Sequence, residues 1–367
     1  MIRLRRGTVV AVKESRPDLQ DLVVEVGGRA ERALAYPLLS GPVEEGDPVL
    51  LNTAAMSLGL GTGGFHLVLA VEGREGPELP DGAHVMKLRY TPLQAAVSTV
   101  EQQGSPSHER MRDAKSLDGL PVVWAPLHSM VLPVAAGARA AGAERAVFVM
   151  TDGAALPAWM SNQLRAGREA GLVSSVVTCG QALGGDLEAV NIFSGLLAAR
   201  EEADADVVIV GDGPGKVGTG TPWGASEVAS GMALNAVGIL GGRPVCALRI
   251  NTSDPGYRHY GVSPHSLKVL REVALVPVHV AVPTLDGASR DLVWDALRAA
   301  ELEERHQLVE VEISAAEGAL AGLDVPLSTM GRTRDEEPLF FAAAAAAGIL
   351  AGRMAAGTKR WQESRTR

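Results

Sequence analysis

The residues of this chain that can do chemistry stand directly after short apolar runs. His128 comes shortly after Val122-Val123-Trp124, Asp152-Gly153 after Ala146–Met150, Cys179 after Val173–Thr178, Asp212 after Val207–Val210, and Asn251 after Val245–Ile250. A histidine so placed is a general acid or base, a metal ligand, or a hydrogen-bonded structural group. Asp152 and Asp212 offer acid–base chemistry or oxygen ligands for a metal ion, with Asp254 and His128 as further donors. No H-x-x-x-H spacing accompanies them, so the sequence specifies neither a metal nor a cofactor. Cys179 has the chemistry of a nucleophile if His128 serves it as base; otherwise it is a small buried thiol.

The most concentrated stretch runs from Gly211 to Gly220, GDGPGKVGTG. The backbone of Gly211, Gly213, Gly215 and Gly218, with Lys216 and Thr219, predicts a cradle for an anionic group. Gly213, Gly215 and Gly218 fit the G-x-G-x-x-G spacing of dinucleotide sites, but Pro214 lies inside the motif and the predicted helix starts later, at Thr221-Pro222. The phosphate-loop pattern fails as well, because Val210 and Val217 stand where Gly and Ser or Thr are required. The alternative is a tight loop whose glycines supply only positive φ angles and close packing. A second polar stretch, NTSDPGYRHYGVSPH (251–265), collects aromatic and histidine residues in a chain poor in both. Asn251, Arg258 and His259 are candidate contacts to an anionic substrate, or an anchor in a subunit interface.

These residues need elements that bring them together. The apolar runs Val122–Trp124, Ala146–Met150, Val173–Thr178, Val207–Val210, Val245–Ile250, Leu275–Val282 and Leu308–Ile313 are rich in β-branched residues and too short for helices. Helical patterns fill the gaps: Met130–Ala141, Ala158–Ala170, Leu187–Glu201 (with Asp186 as its cap), Ala225–Leu240, Ser266–Val273 and Arg290–Ala300. Strand and helix in alternation predict a doubly wound, mainly parallel α/β sheet over residues 91–367, Rossmann-like in build. In such a sheet ligands bind at the carboxyl ends of the strands, where all the candidate residues fall. Residues 1–90 differ. Five short strand patterns, with a hairpin signal at Gly27-Gly28, predict a small all-β, barrel-like domain. A second glycine-rich stretch, Leu58–Gly64, has no helix after it and is read as structural.

Composition narrows the function. The net charge of −9 argues against nucleic acid as a partner. Two cysteines without metal spacing, and no apolar stretch of signal-peptide kind in MIRLRRGTVVAVKES, lead us to expect a reducing cytoplasm. The longest apolar segment, Leu339–Ala351, is short for a membrane span and predicts a buried or interfacial helix. Hydrophobic residues make up 46% of the chain while aromatics make up 4%, so the core must be Ala, Val and Leu. The mean hydropathy of +0.11 leads us to expect apolar surface buried in a homodimer.

The motifs LHSMVLP (127–133), MTDGAALP (150–157), TCGQALGGDLEAVN (178–191) and VGDGPGKVGTGTPWG (210–224) together resemble an uncharacterised bacterial family of about this length. The resemblance covers the whole chain, implies a bacterial source, and carries no activity or catalytic residue with it. Two readings follow from the residues. One is a protein, an enzyme in its fullest form, that holds a small polar or anionic ligand with His128, Asp152 and Asp212 as its acid–base groups. The other is a non-catalytic scaffold that uses the same sheet edge as a subunit interface.

Overall fold

The computed structural model describes residues 2–59, 64–253 and 259–365, with side chains through residue 357. Most of the Leu58–Gly64 stretch, and Asp254 and Arg258, lie outside the described residues. The chain divides into two units, residues 1–96 and 97–367.

The first unit holds a closed five-stranded barrel. Its strands are β1 (Leu4–Ser15), β2 (Gln20–Val26), β3 (Arg29–Ala35), β4 (Pro48–Asn52) and β5 (His66–Val71), in the order β1-β2-β3-β5-β4. The turn between β2 and β3 is Gly27-Gly28, with φ of 59° and 76°, the left-handed pair that a two-residue hairpin requires. Alternate residues face inward, so Val9, Leu22, Val24, Ala33, Val49, Leu51 and Val68 fill the lumen.

The second unit is an eight-stranded sheet, parallel throughout. Its strands are β6 (Pro121–Trp124), β7 (Ala146–Thr151), β8 (Ser175–Cys179), β9 (Leu187–Ala189), β10 (Val207–Asp212), β11 (Arg243–Ala247), β12 (His279–Pro283) and β13 (Gln307–Val311). They run in the order β9-β8-β7-β10-β6-β11-β12-β13. All seven expected strands are present. The eighth, β9, falls where a helix was expected to begin. The chain first winds outward from β6 to β9, then returns to insert β10 between β7 and β6 before continuing to β13. That insertion puts the tips of β7, β10 and β6 side by side.

Both faces of the sheet are covered, which is why its strands read as unbroken apolar runs. One face carries Val123, Phe148, Met150, Val207, Ile209 and Val245 against α1 (Val131–Ala140), α2 (Asn162–Glu169), α6 (Ile313–Ala321) and α7 (Pro338–Arg365). The other carries Val122, Trp124, Val147, Val149, Cys179, Val208 and Val210 against α3 (Ile192–Glu201), α4 (Ala233–Ile239) and α5 (Gly287–Ala299).

The segment Pro338–Gly357 of α7 is long and apolar enough to cross a membrane, but 83% of its most apolar window is buried inside the protein. It is the core helix of the first face. A run of alanines suits this position because α7 crosses α1 in near backbone contact. A Cβ on Gly348 would stand 2.0 Å from the carbonyl oxygen of Val134, and one on Gly137 would stand 2.0 Å from that of Ala345.

Candidate functional site

Asp212 ends β10 and is the centre of the site. Its carboxylate is 1% exposed. One oxygen, Oδ1, accepts from the Thr151 hydroxyl at 2.5 Å and from the Gly153 amide at 3.1 Å; the other, Oδ2, lies 2.9 Å from Lys216 Nζ. Lys216 Nζ also donates to Ser230 Oγ at 3.0 Å, and Ser230 accepts from the Trp124 indole at 3.2 Å. Four chain segments are therefore locked by one buried ion pair. Removing either member of such a pair strands the other charge in the interior, at a cost of about 3–5 kcal/mol. Gly153 is required here: a Cβ would stand 2.7 Å from both Asp212 carboxylate oxygens.

His128 sits in a short 3-10 turn between β6 and α1, 8% exposed and edge-on to Phe148 at 5.6 Å. Its Nδ1 donates to the main-chain carbonyl of Asp212 at 3.1 Å, since a carbonyl can only accept. Burial pushes its pKa down to about 4, with the Lys216 charge adding to the shift and Asp212 opposing it. The ring is therefore neutral at pH 7, and Nε2 is its unprotonated nitrogen. Ser161 Oγ lies 2.6 Å from Nε2 and donates to it. The same Oγ accepts from Leu164 N at 3.0 Å, capping α2.

Ser161 is the residue that sequence reading misses. Ala158–Ala170 reads as one helix, whereas the chain makes a 3-10 turn at Ala158–Met160 and starts α2 afresh at Asn162. The available signal is a serine N-cap placed inside an apparent helix.

The remaining candidates divide. Asp152 is exposed and turns away from Asp212, accepting from Gln181 N at 2.9 Å. Cys179 belongs to the core on the sheet face opposite Phe148, with its thiol on the Met150 carbonyl at 3.5 Å, so it does not meet His128. Asp186 does not cap α3. It accepts from Val176 N and pairs with Arg168, while Asn191 makes the capping box.

Gly211 lies within β10, and Gly213 packs on the Ala155 carbonyl. Beyond it the loop extends further than expected and the next helix begins at Ser226, because Thr221 bonds to Thr219 and Gly224 instead of capping. Thr219 N donates to Gly224 O, and Gly218 bridges Ala225 without using its own amide. The amides of Gly215, Lys216 and Gly218 make no hydrogen bond among the described residues.

Asn251 and His259 belong to a second buried polar group. Glu227, on the short helix after the glycine loop, accepts from Arg249 at 3.2 Å and from Ser266 at 2.8 Å. His265 lies beside Glu227 and stacks edge-on against His259, whose Nδ1 meets Ser263 Oγ at 3.0 Å. Asn251 is buried, and its Oδ1 has no hydrogen-bond partner among the described residues. A hairpin at 328–333 lies at this edge as well. Arg332 pairs with Glu337, which also binds Thr252 N and Ser253.

Among the described residues, no group of three or more His, Cys, Asp or Glu is placed to hold a metal ion. A cavity of about 260 Å³ lies at the opposite, amino-terminal edge of the sheet between Pro121, Arg145, Arg200 and Asp206. Its arginines are already engaged by Asp118 and Asp204, and it is remote from the chemistry above.

A family model described as "Protein of unknown function (DUF3866)" matches residues 32–348. No curated protein and no solved structure matches the chain.

Proposed function

Because the chain belongs to the DUF3866 family, whose function is unknown, kinship supplies no activity, and we propose from the site alone that the protein binds a small anionic ligand at the carboxyl edge of its parallel sheet. The observation that carries this reading is the loop after β10. Its amides at Gly215, Lys216 and Gly218 meet no acceptor among the described residues, and the same loop carries the Lys216 ammonium, held by Asp212 and Ser230. Main-chain N–H groups without acceptors in one glycine-rich loop that also carries a cation suit a phosphate or carboxylate. In this reading Asp212 holds Lys216 in place, and Asn251 and His259 lie on the flank of the ligand. Arg258, outside the described residues, is proposed as a further contact to the anion.

The setting we propose is a bacterial cytoplasm, which suits two buried thiols, and the assembly a homodimer. Met232, Ile239 and Leu275 are 62%, 70% and 77% exposed. Asn235, within the same helix α4, binds Val273 O and Leu275 N. That apolar strip suits a dimer contact and leaves the carboxyl edge to the ligand.

The test is thermal stabilisation by inorganic phosphate and sugar phosphates. Ligand at a hundred times its Kd stabilises the folded state by about 2.7 kcal/mol, which raises Tm by several degrees. Gly218→Pro deletes one amide and lowers the shift, whereas Gly218→Ala keeps the amide and the shift. No stabilisation by any anion in the panel, with the protein folded, overturns the reading.

A further inference from the structure

We infer that Ser161 and His128 are a nucleophile and general base for acyl transfer, with the carbonyl of Asp212 orienting the base and the first amides of α2 receiving the oxyanion. This rests on the reading of the carboxyl edge as a ligand site, but on different atoms from the glycine loop.

The geometry has the parts that an activated serine needs. A nucleophile must hydrogen-bond a base, and the base must be held by a third group. Ser161 Oγ is 2.6 Å from His128 Nε2, and His128 Nδ1 is 3.1 Å from Asp212 O. The carbonyl fixes the tautomer, so Nε2 is always the nitrogen that faces the hydroxyl. Ser161 spends its proton on Nε2 and one lone pair on Leu164 N; its other lone pair has no partner among the described residues.

Position 161 also fixes where charge can go. The amides of Asn162 and Gln163 open α2 and meet no acceptor among the described residues. The amide that follows a nucleophilic serine at a helix start is a recurrent oxyanion donor. The hairpin 328–333 lies next to the pair, fastened by Ser129 to Thr329 at 3.0 Å and by Gln163 to the Ser328 carbonyl at 3.2 Å.

In the reaction, Ser161 Oγ forms a bond to the acyl carbon of an ester as its proton passes to Nε2. The tetrahedral adduct collapses, the C–O bond to the leaving group breaks, and Nε2–H protonates the departing alkoxide. Water then adds to the acyl-serine by the same route, giving the acid and restoring both residues. A buried imidazole with a pKa of about 4 is a weak base and, once protonated, a strong acid. That balance suits activated esters and thioesters better than amides.

The experiment treats the full-length protein with a fluorophosphonate probe, which leaves a phosphonyl group on an activated serine and releases fluoride. We expect one adduct per chain, mapped by mass spectrometry to Ser161. Labelling is absent in Ser161→Asn, which keeps a good N-cap, and falls at least a hundredfold in His128→Gln. Hydrolysis of p-nitrophenyl acetate follows the same pattern and declines only as pH drops through about 4. An unlabelled but folded wild-type protein, or an adduct that persists in Ser161→Asn, overturns the inference. Phosphate stabilisation measured on Ser161→Asn separates the two proposals. If it persists while wild-type labelling fails, the nucleophile falls and the anion site stands. If it is absent from wild type while labelling succeeds, the reverse holds.

Discussion

At position 128 an imidazole has exchanged water for two hydrogen bonds, and the exchange has a measurable cost. Desolvation holds its folded-state pKa near 4, against 6.5 for an ordinary histidine. As pH falls, the unfolded chain therefore takes up a proton first. The contribution of this residue to stability is complete above pH 6.5, declines as pH falls, and is exhausted near pH 4. The loss is on the order of 3 kcal/mol. Urea unfolding from pH 8 to pH 4 should show a steeper decline in wild type than in His128→Gln. Parallel curves for the two proteins would mean that the ring is hydrated in solution. Asp212 illustrates a different point at the same scale. Its position after an apolar strand is plain in the sequence, but its partners Thr151 and Gly153 are not, because they reach it only through the strand order; Lys216, four residues on, is local.

Among the elements, the crossing of α1 and α7 is the tightest. Glycine disfavours helices by about 1 kcal/mol relative to alanine, so Gly137→Ala and Gly348→Ala would stabilise exposed helices. Here each new methyl meets a carbonyl oxygen at 2.0 Å, and separation of the helices costs packing along their whole contact. We expect each substitution to lower unfolding free energy by about 1–3 kcal/mol, read from urea midpoints. A stabilised variant would refute the close crossing. The strands were legible for the reason that the helices were less so. A parallel strand covered on both faces must be apolar at every position, and Val207–Val210 has no other reading. The edge strand Leu187–Ala189 lacks that burial, and Leu-Glu-Ala resembles a helix. Ser161 was hidden in the same way, because Ala-Trp-Met before it looks like a first helical turn. The separation of Cys179 from His128 follows from strand alternation, but only once β7 is known to lie beside β8.

For the molecule as a whole, the mass in solution tests the proposed assembly. One chain weighs 38.2 kDa, and light scattering should return twice that value, with Ile239→Glu combined with Leu275→Glu returning the single chain. A wild-type protein that scatters as one chain ends the dimer proposal. The architecture also has a consequence for biosynthesis. Strands β6 to β13 all precede α7, the helix that roofs one side of them. They leave the ribosome before their cover has been translated. At about 5–20 residues per second, Val245, Ala281 and their neighbours on β11 and β12 wait several seconds for α7 on every nascent chain. A chaperone that recognises apolar surface has that interval in which to act.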